Sequence, residues 1–238
     1  MATLLTMCTE VMNELGSIET PDYLFTNTND TAKQLIAIAK RVGRELVRLH
    51  PWQELIQTAT VTTVADTDNY ALESDYDRAV PITNWDSTEN KRVYHVGAVE
   101  YAEIVNAPIV PGITHYYRIK GNRVYVKPTP DSVWSFNYEY ISKNYCESSG
   151  GTDQSEWAAD SDVPLLDEEL FIAGIRFYFY RDNGLDYANA EAEYDAIIRA
   201  RSEYNVPSGA INMAARVTHP ATDLMPNYLN IPDQAITT

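Results

Sequence analysis

Gly121-Asn122 sits between two runs in which apolar and polar residues alternate, 116–120 and 123–127. A Gly-Asn pair supplies the positive φ values that a two-residue hairpin turn demands. The turn fixes the pairing: Lys120 opposite Arg123, Ile119 opposite Val124, Arg118 opposite Tyr125, Tyr117 opposite Val126. Side chains alternate across a strand, so one face collects Tyr117, Ile119, Val124 and Val126, while Arg118, Lys120, Arg123 and Lys127 lie on the other. Turn chemistry and hydrophobic pattern agree, and an antiparallel hairpin with a basic outer face is expected. Lys120 opposite Arg123 is a like-charge pair, which costs free energy unless an acid meets it.

Period-two patterning extends over about residues 56–145. The segment 58–64 is rich in β-branched residues. In 133–141, Trp134, Phe136, Tyr138 and Tyr140 alternate with Ser135, Asn137 and Glu139, which reads as one packed sheet face. Helical periodicity lies on either side of this region. Leu4, Cys8, Val11 and Leu15 form one stripe ended by Gly16, which makes Cys8 a small core residue. A second helix starts near Asp30 or Thr31, with Gln34 placed to close a capping box, and stops at Pro51. Its buried stripe is Leu35, Ile38, Val42, Leu46 and Leu49; its other face carries Lys33, Lys40, Arg41, Arg44 and Arg48. Further helices are expected over 166–181 and 186–204, antiparallel across Asn183-Gly184.

The expected fold is α+β: a bundle of N- and C-terminal helices, an inserted antiparallel β domain, and an extended C-terminal arm. The boundaries are 1–52 for the N-terminal helices, 53–146 for the β insertion, 147–164 for an acidic loop that starts flexibly at Ser148-Ser149-Gly150-Gly151, 165–204 for the C-terminal αα-hairpin, and 205–238 for the arm. The arm loses periodicity and carries Pro207, Pro220, Pro226 and Pro232, yet keeps the apolar anchors Ile211, Met213, Val217, Leu224, Met225, Tyr228, Leu229 and Ile231. Burying these does not offset the entropy of ordering the whole segment, so an ordered arm needs a surface already built by something else.

Composition narrows the function. Lys and Arg total 18 against 34 Asp and Glu, a net charge of −16, which disfavours a free-standing nucleic-acid binder. Two cysteines, Cys8 and Cys146, exclude a disulfide scaffold and a four-thiolate zinc site. No secretory signal or membrane span is visible; the apolar run 170–175 is stopped by Arg176. His50, His95, His115 and His219 show no close pairing and no HExxH or Cys/His spacing, so no metal site is expected from them. GxSxG, Walker and GxGxxG motifs are absent. The acids Asp153, Glu156, Asp160 and Asp162 lack EF-hand spacing, and Asp167, Glu168 and Glu169 favour the start of the following helix. No catalytic residue and no cofactor is assigned.

What remains is complementary charge. The hairpin face (Arg118, Lys120, Arg123, Lys127) and the acidic loop (Asp153, Glu156, Asp160, Asp162) satisfy one another within a subunit, or between neighbours in a heterologous contact that closes a ring on repetition. The contact between neighbours, and so a ring, is expected. Arg41, Arg44 and Arg48, with the arm residues Ile211, Met213, Leu224, Met225, Tyr228 and Leu229, are the expected contacts to a partner.

The order of elements then resembles a known family. A TLLTMCTEVMNELG helix is followed by NDTAKQLIAIAKRVGRELVRLHPWQEL, YALESDYDRAVP, the YRIKGNRVYVKPTPDSVWSFNYEYISKNY hairpin, and SEWAADSDVPLLDEELFIAGIRFYFYRDNGLDYANAEAEYDAI. Over most of residues 1–204 this is similar to the head-to-tail adaptor proteins of tailed bacteriophages (connector or head-completion proteins), especially those like the tail accessory factor. The resemblance implies a homo-oligomeric ring, typically of twelve copies, bound between the portal protein and the tail nozzle or tube, with extended termini clasping neighbours. It implies a virion protein of the head–tail junction, made in the host cytoplasm, with no membrane partner. Double-stranded DNA would pass through the lumen without specific binding, since an acidic wall offers phosphate no counter-charge. Some members of such families attack the cell wall, so a muralytic enzyme using a carboxylate pair is the alternative. A monomeric module binding a ligand on the aromatic strand is a third reading.

Overall fold

In the computed structural model, residues 2–16, 20–80, 83–106 and 114–205 are described. Helix α1 (Leu4–Leu15) is opened by Thr3, whose hydroxyl accepts from the Thr6 amide, and closed by Gly16 at φ +61°. It buries Leu4, Met7, Cys8, Val11 and Met12. Helix α2 (Asp30–Leu49) is capped by Asn29, whose side chain accepts from the Thr31 amide at 3.0 Å, and not by a box closed through Gln34. Leu35, Ile38, Val42 and Leu46 are buried as the stripe predicts, but Leu49 is exposed. The place beneath the last turn belongs instead to Trp52, whose Nε1 donates to the Leu46 carbonyl at 2.7 Å.

Helix α4 (Glu168–Asp182) buries nearly every residue from Leu170 to Phe179, because α1, α2 and α5 (Ala188–Asn205) all pack on it. Such close approach depends on Gly174. A Cβ there would lie 2.8 Å from Val42 Cγ1 and 3.1 Å from the Tyr194 ring. Arg176 ties the same helices at the surface: Nη2 donates to Glu14 of α1 at 2.7 Å and Nη1 to Glu193 of α5 at 2.6 Å. Asn183 and Gly184, the latter at φ +71°, make the αα turn expected from the sequence.

Between the helix pairs, eight strands form a mixed sheet: β1 (Ile56–Thr62), β2 (Asn69–Ala71), β3 (Tyr76–Ala79), β4 (Trp85–Asp86), β5 (Lys91–His95), β6 (His115–Lys120), β7 (Arg123–Lys127) and β8 (Ser135–Ser142). Their order is β1-β8-β4-β5-β6-β7-β2, with β3 also paired to β8. The β6–β7 register is the one that Gly121-Asn122 dictates, Lys120 opposite Arg123 through Tyr117 opposite Val126. The wholly antiparallel expectation needs correction, because β5 and β6 are parallel. A helix between them, α3 (Ala98–Asn106), makes the crossover that a parallel pair requires. Ala98, Tyr101, Ala102 and Val105 recur at helical spacing, but the helix is only nine residues long and buries none of them, so it is easily passed over within a region of period-two patterning.

One face of the sheet builds its own core from Ala59, Val61, Val93, Tyr117, Val124, Val126, Trp134, Phe136, Tyr138 and Tyr140. Tyr117 and Phe136 meet at 5.9 Å between ring centroids although β4 and β5 separate their strands in the hydrogen-bonding order. The sheet therefore curls over its aromatic face. It is rooted in the bundle where β1 and β8 run side by side, with Ile56 opposite Ile141 and Leu55 and Ile141 in the helical core. Arg78 of β3 adds a fastening, its Nη2 donating to the carbonyls of Val47 and His50 at the end of α2.

Candidate interaction surfaces

The acidic stretch expected as a loop with a flexible start is built into the bundle. It forms a three-stranded sheet of β9 (Cys146–Glu147), β10 (Asp153–Gln154) and β11 (Val163–Pro164). Trp157 is buried in the helical core, with its Nε1 directed to the Ala39 carbonyl. Two of its acids serve backbone amides. Asp160 accepts from Leu24 and Phe25 at 3.1 and 3.0 Å, which fixes the α1–α2 connection. Asp162, 1% exposed, accepts from Ala158 and Ala159 at 2.7 and 2.8 Å. The main chain of the same segment takes the Leu4 and Leu5 amides at the start of α1. Backbone amides at a helix start need acceptors, and for α1 these carbonyls supply them, while the two carboxylates serve amides in the connecting segments. Asp153 and Glu156 remain on the surface.

The basic face of α2 meets the same segment. Glu156 bridges Lys40 at 3.2 Å and Arg44 at 2.9 Å, and the two cations hold its carboxyl below the usual carboxylate range, the Lys40 hydrogen bond most strongly. Arg41 stacks over the Tyr178 ring at 4.1 Å. Burial, then the hydrogen bond to Glu45, pushes the Tyr178 hydroxyl up to about 12. Arg48 is exposed and has no partner among the described residues. The arm positions Ile211, Met213, Leu224, Met225, Tyr228 and Leu229 lie outside the described residues.

The hairpin face is satisfied locally. Arg123 Nε donates to Asn69 at 2.8 Å, Lys127 pairs with Asp68 at 3.0 Å, and Arg118 lies over the Tyr101 ring of α3. The hydrogen bond from Asn69, then that from Lys127, lowers the Asp68 pKa. The like-charge strain at the hairpin is thus relieved by β2 and α3, while Lys120 stays exposed. Within the described chain the acidic segment meets α2 and the α1–α2 connection; the hairpin meets β2, its flanking Asp68 and α3.

Register extends this face across the sheet. Trp85 lies opposite Arg92, and Tyr94 beside Tyr116, so these side chains share the outer face with Arg118. Trp85 and Tyr94 are each 48% exposed. Sequence reasoning passes over them because Trp85 stands in a polar stretch and β4 is two residues long, too short to show a period.

Buried reactive groups are inert. Burial pushes the thiols of Cys8 and Cys146 up to about 12, so neither is a thiolate at neutral pH. No helix among the described residues is long and apolar enough to cross a membrane. No curated protein matches the chain. The sequence model of the SU10 adaptor protein family matches residues 2–218. That match spans both helix pairs, the sheet and the acidic segment, and by it the chain belongs to the SU10 adaptor proteins, a phage head–tail adaptor family.

Proposed function

We propose that the chain is a structural subunit of a ring that joins the portal to the tail of a phage virion and leaves a channel for double-stranded DNA, with twelve copies per ring. The observation that carries this reading is the outer face of the sheet. Its inner side is an aromatic core, yet Trp85 and Tyr94 stand half-exposed beside a row of basic residues. Aromatic and arginine side chains on one patch are the composition of protein interfaces, not of an idle surface. A neighbour with a net charge of −16 offers acids to meet it.

In this reading Arg118, Lys120, Arg123 and Lys127 form one side of the contact. Of the four acids expected opposite them, Asp153 is the one that stands at the surface to serve the next copy, because Glu156, also at the surface, is shared by Lys40 and Arg44 of its own chain. Arg41, Arg44 and Arg48 with the arm 205–238 face the portal. The subunit carries no catalytic step. An acidic ring suits DNA transit, because phosphate finds no counter-charge to hold it.

Charge reversal tests the contact. Arg118→Glu with Lys120→Glu is expected to abolish assembly, read as native mass by light scattering with and without portal, while circular dichroism of the monomer is unchanged. An unaltered oligomer in that variant overturns the assigned interface. Peptidoglycan hydrolysis by the purified protein would overturn the structural reading itself.

A further inference from the structure

We propose that Asp86, Glu89 and His115 form a binding site for a divalent first-row transition ion, zinc above all, that clips the β4–β5 turn to the start of β6. Their candidate ligand atoms all lie within 4.8 Å of one another. The group lies where the parallel crossover brings the first residue of β6 against the end of β4. This is why spacing along the chain gives no sign of it: the histidine's neighbours are carboxylates from another strand.

The buried pair is what distinguishes this group from a chance cluster. Asp86 is fully buried and His115 nearly so. Asp86 Oδ1 accepts from the amides of Thr88 and Glu89 at 2.8 and 3.0 Å, which fixes the carboxylate. Its other oxygen lies 3.2 Å from His115 Nδ1, yet neither atom has an aligned hydrogen-bond partner. Leaving two buried polar atoms unsatisfied costs about 1–3 kcal/mol each, and native structures seldom tolerate it. An ion bound by both atoms would satisfy them together. Ligands about 2.0–2.1 Å from a tetrahedral ion are themselves roughly 3.3 Å apart, which matches the observed separation.

The imidazole is held for this role. Its ring stacks on Trp134 with centroids 4.0 Å apart and planes 14° apart, so it cannot swing away from Asp86 without losing that contact. Glu89, on the exposed turn, is the adjustable member. It pairs with Lys91, and a metal ion would displace that ammonium from the carboxylate. One imidazole nitrogen with two carboxylate oxygens favours zinc, manganese or cobalt over calcium, which takes oxygen ligands throughout.

The test uses the full chain, stripped with EDTA and dialysed. Zinc chloride is expected to raise the melting temperature by about 5 °C or more at saturation. Cobalt chloride is expected to give visible absorption typical of a nitrogen–oxygen site, without the intense ultraviolet bands of thiolate ligation. His115→Gln abolishes both signals. Glu89→Gln, on the surface and so without consequence for folding, weakens zinc binding at least tenfold in calorimetry. Lys91→Met, which removes the competing ammonium, tightens it. No thermal shift with zinc in the unmodified chain overturns the site. So does an equal shift in Glu89→Gln, which would place the ion elsewhere.

Discussion

Gly43 of α2 faces the ring of Tyr145 so closely that a Cβ added there would lie 2.3 Å from Cε2. Tyr145 is fully buried, with Trp157 and Phe171 in contact with its ring, so it cannot retreat. This contact joins the N-terminal helices to the chain as it returns from the sheet. It makes the two halves of the bundle one body across the whole β insertion.

Gly43→Ala is therefore expected to destabilise the fold by about 1–3 kcal/mol, despite a gain of about 1 kcal/mol in helix propensity. Adding Tyr145→Leu should recover part of the loss, since the clash disappears with the ring. Urea titrations of the two single variants and the double variant measure this coupling.

The junction between sheet and bundle depends on Arg78, whose guanidinium satisfies the Val47 and His50 carbonyls at 3.0 and 3.1 Å. Arg78→Met keeps most of the stem but leaves those carbonyls without the donor. A loss of about 1.5–3 kcal/mol is expected. Amide exchange should rise first at the C-terminal turn of α2, and unchanged exchange there would show that Arg78 fastens nothing.

Acid should loosen the clasp at Glu156. Its pKa is lowered in the folded chain from an ordinary value of 4.5, so its contribution is present above that pH and fades as pH falls through the folded value. The pair is largely exposed, and its contribution stays below about 1 kcal/mol. Melting curves of the native chain and Glu156→Gln should differ by no more than about 2–4 °C at pH 7 and converge in acid.

Truncation separates the arm from the body. Removal of 207–238 is expected to leave the melting temperature unchanged while weakening attachment to the portal. A destabilised monomer after truncation would assign the segment to the core instead.

How much was readable follows from which interactions are local. The β6–β7 register is set by two residues between two alternating strands, and α1, α2, α4 and α5 announce themselves by stripes and turns. Tertiary choices stayed hidden. The acids 153–162 look like a solvated loop until Leu24, Phe25, Lys40 and Arg44 are brought to them by the fold. Helix α3 is nine residues long and buries none of its apolar positions, so its short stripe is lost among the strands and the parallel β5–β6 pair goes unanticipated. Leu49 follows the helical period yet is displaced by Trp52, a residue beyond the Pro51 stop. Trp85 and His115 gain their neighbours only through pairing between distant strands.

The most direct measurement is electron microscopy, with native mass, of the purified chain mixed with portal protein from the same phage. The account predicts closed rings seated on the portal, twelve subunits in each, with the outer face of the sheet against the adjacent copy. A chain that stays monomeric at every concentration and leaves the portal bare would contradict it.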